Sequence, residues 1–225
     1  MDPGKTRLHD LSLPIYHGAP AYPRLGTPSI TRTSHRARDG FNAERLDFCS
    51  HTCTHVDMPE HFYDGAGDAA SLPLERFWGF GAVLDLRGRA GERTSVGLET
   101  VSEFDKIIGP GDFVLINTGW NARRGYGADY MKNWPFIDGP AAGYLRDKGV
   151  KAVGIDTMSL GGYTKETAQP CHEILLSAGV LIIEEVNFPE EVMDGKKRLV
   201  SAFPLRLVSG TASPVRLVAY DVFAG

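Results

Sequence analysis

The densest chemistry in the chain runs Ser50-His51-Thr52-Cys53-Thr54-His55-Val56-Asp57-Met58-Pro59-Glu60-His61-Phe62. Three of its seven histidines fall here, with an aspartate and a cysteine among them. Neutral imidazoles and a carboxylate are ligands of Zn(II), and equally of Mn(II) or Fe(II). A helix would put His51 and His55 on one face, but the β-branched Thr52, Thr54 and Val56 and the breaker Pro59 oppose it. An extended chain puts His51, His55 and Asp57 on one side. On a straight strand His51 and His55 stand roughly 13 Å apart, so the chain must bend across Thr52 to Thr54 for one ion to reach both. The expectation is a strand end curled around a divalent metal at His51, His55 and Asp57. Three protein ligands leave room for water and substrate, as catalytic sites do.

Such an ion lowers the pKa of water to roughly 7 and polarises a carbonyl, which points to hydrolysis. His61, beyond Pro59, is the candidate to move the proton, since a free imidazole titrates near ~6.5. Its alternative roles are a fourth ligand or a structural hydrogen bond. Cys53 can bind zinc as a thiolate and is read as a bystander. Glu184 ends the apolar run from Val180 and shares parity with Ile182. It is either an inward-facing functional acid or the point where the strand runs into solvent. Asp156 is read as a turn-forming acid that bonds nearby amides. The aromatics Tyr22, Phe62 and Trp120 suit a flat substrate.

Composition narrows the class. The 225 residues are 42% hydrophobic and 23% charged, as in an ordinary globular protein. A net charge of −4 supplies no basic stripe, so nucleic acid is not an expected partner. Three irregularly spaced cysteines fit a reducing, cytoplasmic location. No apolar run approaches the ~20 residues that span a bilayer, so no membrane partner is expected. No signal-peptide pattern, internal repeat or linker is visible, and residues 1–225 read as one domain with a loose terminus at 1–5.

The elements that must position these residues alternate between strands and helices. Strands are expected over 9–15, 29–34, 43–49, 80–86, 113–117, 149–156, 180–186, 202–208 and 215–220. The pair around Gly40 reads as a hairpin. Helices are expected over 95–108, 139–148 and 170–179, with Pro140 and Pro170 in first turns and Gly179 as a stop. The class is α/β with a mixed sheet.

The pattern His51-x-x-x-His55-x-Asp57-x-Pro59-x-His61-Phe62 resembles the signature of the cyclase-like metal-dependent hydrolases, which include bacterial kynurenine formamidases and isatin hydrolases. Asp10-Leu11-Ser12 with Tyr22-Pro23, Thr118-Gly119-Trp120, Gly154-Ile155-Asp156-Thr157, the His172 to Gly179 segment and Ser213-Pro214-Val215-Arg216 extend the likeness over nearly the whole chain. The usual form carries glycine where this chain has Cys53. The resemblance implies a swivelling β/β/α fold, a partly barrel-like sheet and helices outside. It implies a second metal held with His172 and Glu184, bridged by Asp57, so one or two Zn(II) or Mn(II) ions. It assigns His61 to acid/base work, places Tyr22 and Trp120 near the substrate, and suggests a homodimer or homotetramer. The expected function is hydrolysis of a small aromatic amide, of arylformamidase or cyclic-amide type. Rivals are a lactone or ester hydrolase, a metal-dependent cyclase or dehydratase, and a metal-stabilised binding protein.

Overall fold

Phe113 to Asn117 is an unbroken buried run in the middle of the main sheet. In this computed structural model, which describes residues 6–221, the strands are β1 (Leu8–Asp10), β2 (Ser29–Ser34), β3 (Ala43–Asp47), β4 (His55–Asp57), β5 (Trp78–Asp85), β6 (Ser95–Val96), β7 (Phe113–Asn117), β8 (Phe136–Ile137), β9 (Ala152–Ile155), β10 (Leu181–Glu184), β11 (Arg198–Ser201), β12 (Ala212–Pro214) and β13 (Val218–Tyr220). The helices are α1 (Arg36–Asp39), α2 (Leu98–Ser102), α3 (Ala128–Lys132), α4 (Gly139–Asp147) and α5 (Lys165–Ser177). The loose terminus expected at 1–5 lies outside the described residues.

Nine strands form one mixed, partly barrel-like sheet in the order β1-β13-β11-β5-β7-β9-β10-β4-β12. Strands β5, β7, β9 and β10 run parallel, and β4 and β12 continue the sheet antiparallel. Strand residues alternate between two cores, as a period of two requires. Val114, Ile116, Val153, Ile155 and Ile182 pack with α4 and α5 side chains on one face. Phe113, Leu115, Ala152, Leu181, Ile183 and Val56 fill the other core. The β2–β3 hairpin forms a separate pair, its α1 link ending at Gly40 with φ 82°.

Several expected elements differ, among them the strand over 9–15, which ends at Asp10, and that over 215–220, which begins at Val218. The helix over 95–108 is replaced by β6, α2 and a 3₁₀ turn at Asp105–Ile107, because Ser95 and Val96 pair with Phe136 and Ile137. The helix expected from Pro170 starts earlier, at Lys165, and carries Pro170 inside. The lost backbone hydrogen bond is tolerated because Cys171, His172, Leu175 and Leu176 are buried and hold the helix in place. The strand expected over 202–208 does not form. Pairing stops with β11, and Pro204 makes one isolated bridge to Val215. Val208 is left 83% exposed.

Candidate metal centre

Register builds the centre. In the antiparallel β4–β10 pair, His55 faces Glu184 and Asp57 faces Ile182. Paired residues share a side of the sheet, so both β4 ligand candidates lie on Glu184's side while Val56 packs in the opposite core. The expected bend falls at Cys53, which adopts φ 52°. This left-handed conformation is costly for a side chain with a Cβ, which gives a physical reason for a glycine here. The bend brings the His51 ring to 5.2 Å from His55.

α5 supplies the other wall. Its first turns sit against the loop after β9. A Cβ on Gly161 would stand 2.5 Å from Ala168 Cα, so no larger residue fits that approach. His172 then points at the end of β10, with Nε2 3.2 Å from Glu184 Oε1. Its Nδ1 lies 2.8 Å from the Ala168 carbonyl, and His55 Nδ1 lies 2.7 Å from the Cys53 carbonyl. Each Nδ1–H donates to its carbonyl, which leaves Nε2 free to face the centre.

The donor atoms crowd together, and apart from the His172–Glu184 hydrogen bond several of them remain unpaired. His51 Nδ1 is 2.9 Å from Asp57 Oδ1, and His55 Nε2 is 3.3 Å from the same oxygen and 3.4 Å from Glu184 Oε2. Yet His55 Nε2 and both Asp57 oxygens are buried with no aligned hydrogen-bond partner. An orphaned buried polar group costs about 1–3 kcal/mol, so three in one place need a common partner. A divalent cation at their convergence fits nitrogen and carboxylate donors of this kind. The clusters share Asp57: His51, Asp57 and His61 form one, and His55, Asp57 and Glu184 the other. This grouping differs from the expected trio of His51, His55 and Asp57, and it puts His61 at ligand distance as well.

Charge follows from the crowding. Burial opposes ionisation of Asp57, but His51 and His55 outweigh it and hold the carboxyl well below its usual range. Burial and Asp57 push Glu184 up, while His172 and His55 pull it down to about 2. Burial disfavours charged His55, but Asp57 and Glu184 raise it well above an ordinary imidazole. His172 is raised likewise, against burial, with Cys171 and Glu184 as causes. His61 goes the other way: burial lowers it, and only partial compensation comes from Asp57.

The centre floors a cavity of about 310 Å³ whose lining includes Tyr22, Phe62, His61 and Ser159. Phe62 stacks on His172 at 5.2 Å. Trp120 is not among the lining residues. It is 3% exposed, stacked on Tyr130, with its indole N–H donating to the Tyr130 carbonyl. It sits in an aromatic cluster with Trp134 and Met158, against which Tyr22 packs, and so backs the wall instead of forming it. Cys53 stays outside both clusters. Its Sγ lies 3.3 Å from Arg124 Nη2, and burial pushes its thiol up to about 11. Asp156 accepts from the Thr118 N–H and hydroxyl and from the Asn121 N–H, a loop-ordering role.

One feature escaped sequence reading. Arg124 ties Glu185, Cys53 and the Pro20 carbonyl together behind the centre. Its partners lie far apart in sequence, and no local pattern signals the cluster.

Comparison with known proteins matches residues 9–161 to the family model described as putative cyclase. A kynurenine formamidase of Salinibacter ruber is 30% identical over 220 residues, covering 95% of this chain and 97% of that relative. Isatin hydrolase A of Labrenzia aggregata shares the fold, with a TM-score of 0.85 at 23% identity over 96% of this chain and 94% of that one. A predicted metal-dependent hydrolase of Bacillus stearothermophilus has a TM-score of 0.79 at 29% identity, covering 96% of this chain and 99% of its own. With the family model spanning most of the chain and similar proteins aligned almost end to end, the protein belongs to the putative cyclase family.

Proposed function

We propose that this protein is a metal-dependent hydrolase of a small aromatic amide, with an arylformamide as the lead substrate. The observation that carries this reading is the convergence of His55 Nε2 and both Asp57 oxygens, unpartnered and buried, beneath an aromatic-walled cavity. Relatives that carry the name kynurenine formamidase, and the isatin hydrolase likeness in fold, support it.

His51, His55, Asp57, His172 and Glu184 would hold one or two divalent ions, Zn(II) or Mn(II). A divalent ion here supplies Lewis acidity toward water and a carbonyl. Tyr22 and Phe62 flank the cavity and hold a flat ring by its faces. His61, kept neutral by burial, accepts the proton lost by the attacking water and returns it to the leaving nitrogen. The whole chain acts as one domain. Exposed Trp78, Phe80, Phe203 and Leu205 support assembly as a homo-oligomer.

The test pairs elemental analysis with turnover of N-formylkynurenine, with and without chelator. Bound metal and chelator-sensitive turnover are expected. Fully metal-loaded protein that leaves N-formylkynurenine, formanilide and isatin intact would sink the reading.

A further inference from the structure

The cavity changes character along its depth. Its floor is the histidine and carboxylate centre, and its middle is Tyr22 and Phe62. Beyond them it continues into an outer hollow of about 460 Å³, which Tyr22, Arg24 and Phe62 also line. Tyr163, Lys165 and Gln169 complete much of that outer wall. Two cations, Arg24 and Lys165, therefore line this hollow, Arg24 lines the inner cavity as well, and none of the residues lining the outer hollow is acidic.

Arg24 is placed at the cavity without a carboxylate to neutralise it, unlike several arginines elsewhere in the fold. Arg87, Arg89, Arg123 and Arg124 each pair with a carboxylate. Among the described residues Arg24 has no such partner. A guanidinium offers planar, forked donors that match a carboxylate in two parallel bonds. Its neighbour Tyr22 packs 5.9 Å from Trp134 and 6.1 Å from Tyr163, which seats the loop that carries Arg24.

Polar metal floor, aromatic middle and cationic rim specify a molecule with matching parts. We propose that Arg24 is a specificity-determining residue and that the preferred substrate is an anionic aromatic amide. Its carboxylate lies on the far side of the ring from the scissile amide, with Lys165 adding to the same field. This inference rests on the amide-hydrolase reading above and narrows its substrate class.

The experiment uses metal-loaded protein and two probes, neutral formanilide and 4-formamidobenzoate. Because the ion pair is exposed, the expected effect is modest. Arg24→Met lowers kcat/KM for 4-formamidobenzoate about fivefold, mostly through KM, and affects formanilide far less. Arg24→Glu lowers it further, Lys165→Met does so more weakly, and high salt erases the wild-type preference. Equal losses on both probes, or no loss on 4-formamidobenzoate, overturn the inference. If wild type hydrolyses neither probe, the hydrolase reading fails on its own, and calorimetric binding of the two probes decides the role of Arg24. Tighter binding of 4-formamidobenzoate that Arg24→Met selectively removes keeps it, and equal affinities in both proteins overturn it.

Discussion

Glu184 and Glu185 are consecutive buried acids that serve opposite sides of one strand end. Glu184 Oε1 lies 3.2 Å from His172 Nε2 in the candidate metal centre, whereas Glu185 Oε1 lies 3.4 Å from Arg124 Nε behind it. The turn that separates them is Glu185 itself, at φ 53°. Replacing each by its amide separates the two roles. Glu184→Gln is expected to lower metal content sharply. Glu185→Gln should keep the metal and cost about 2 kcal/mol of stability, the size of a charge-assisted bond. Metal analysis and denaturant unfolding on the two variants check this, and metal loss in both would refute the division.

Metal binding should release protons. In the metal-free protein, against burial, Asp57 and Glu184 raise His55, and Cys171 and Glu184 raise His172, above the ordinary imidazole range, which favours the protonated rings. A bound ion requires neutral imidazoles. Affinity must therefore weaken as pH falls, because more protons then compete. Titration calorimetry in two buffers of different ionisation enthalpy should count at least one proton released. At 100-fold excess over Kd, the ion adds about 2.7 kcal/mol, or roughly 5–10 °C in Tm for a chain of this size.

His61 should define the acid limb of activity. Burial lowers its pKa, so the neutral form is present at pH 7 and activity falls only as pH drops below the usual imidazole range. His61→Ala is expected to lose 10²- to 10⁴-fold in kcat, on the scale of general acid–base catalysis, and to lose that limb. Turnover close to wild type with the limb in place would remove His61 from the chemistry.

Cys53 should be chemically quiet. Its thiol is buried and pushed up to about 11, so alkylation at pH 8 should label Cys49 well before Cys53. Cys53→Gly relieves the φ 52° conformation but removes a buried thiol. These effects oppose each other, and a stability change within about 1 kcal/mol is expected. Metal content should not change. A zinc-depleted Cys53→Gly protein would make the thiolate a ligand after all.

Gly161→Ala tests how α5 is seated. The added Cβ meets Ala168 backbone at 2.5 Å, which cannot give way cheaply. A loss of about 1–3 kcal/mol is expected, with weaker metal binding as His172 is displaced. An unchanged thermal midpoint would show that the loop and helix can part without cost.

The local signature was readable because its ligand types are compressed into a few residues and share a parity. The need for a bend followed from reach alone, and Cys53 provides it. Glu184 was different. Its strand pattern allowed either an inward acid or a run into solvent, and only the pairing with β4 decides its side. Trp120 misled because an aromatic beside a candidate site looks the same in sequence whether it lines the wall or backs it. Lys165 and Pro170 show the limit on boundaries, since buried Cys171 and Leu175 carry the helix through a residue that should have begun it. The Arg124 cluster joins residues far apart in sequence and left no local trace.

The pairing of β4 with β10 also bears on how the chain folds. Thr54 donates to the Glu185 carbonyl across 131 residues of intervening chain, and His55 meets Glu184 only once that closure is complete. Contacts so distant in sequence form late and slowly. Until that closure the chain offers an ion only the local donors His51, His55, Asp57 and His61, and Glu184 joins them when the sheet is complete. An ion held by residues from both strands would then tie the two ends of this long closure together, so its removal is expected to speed unfolding.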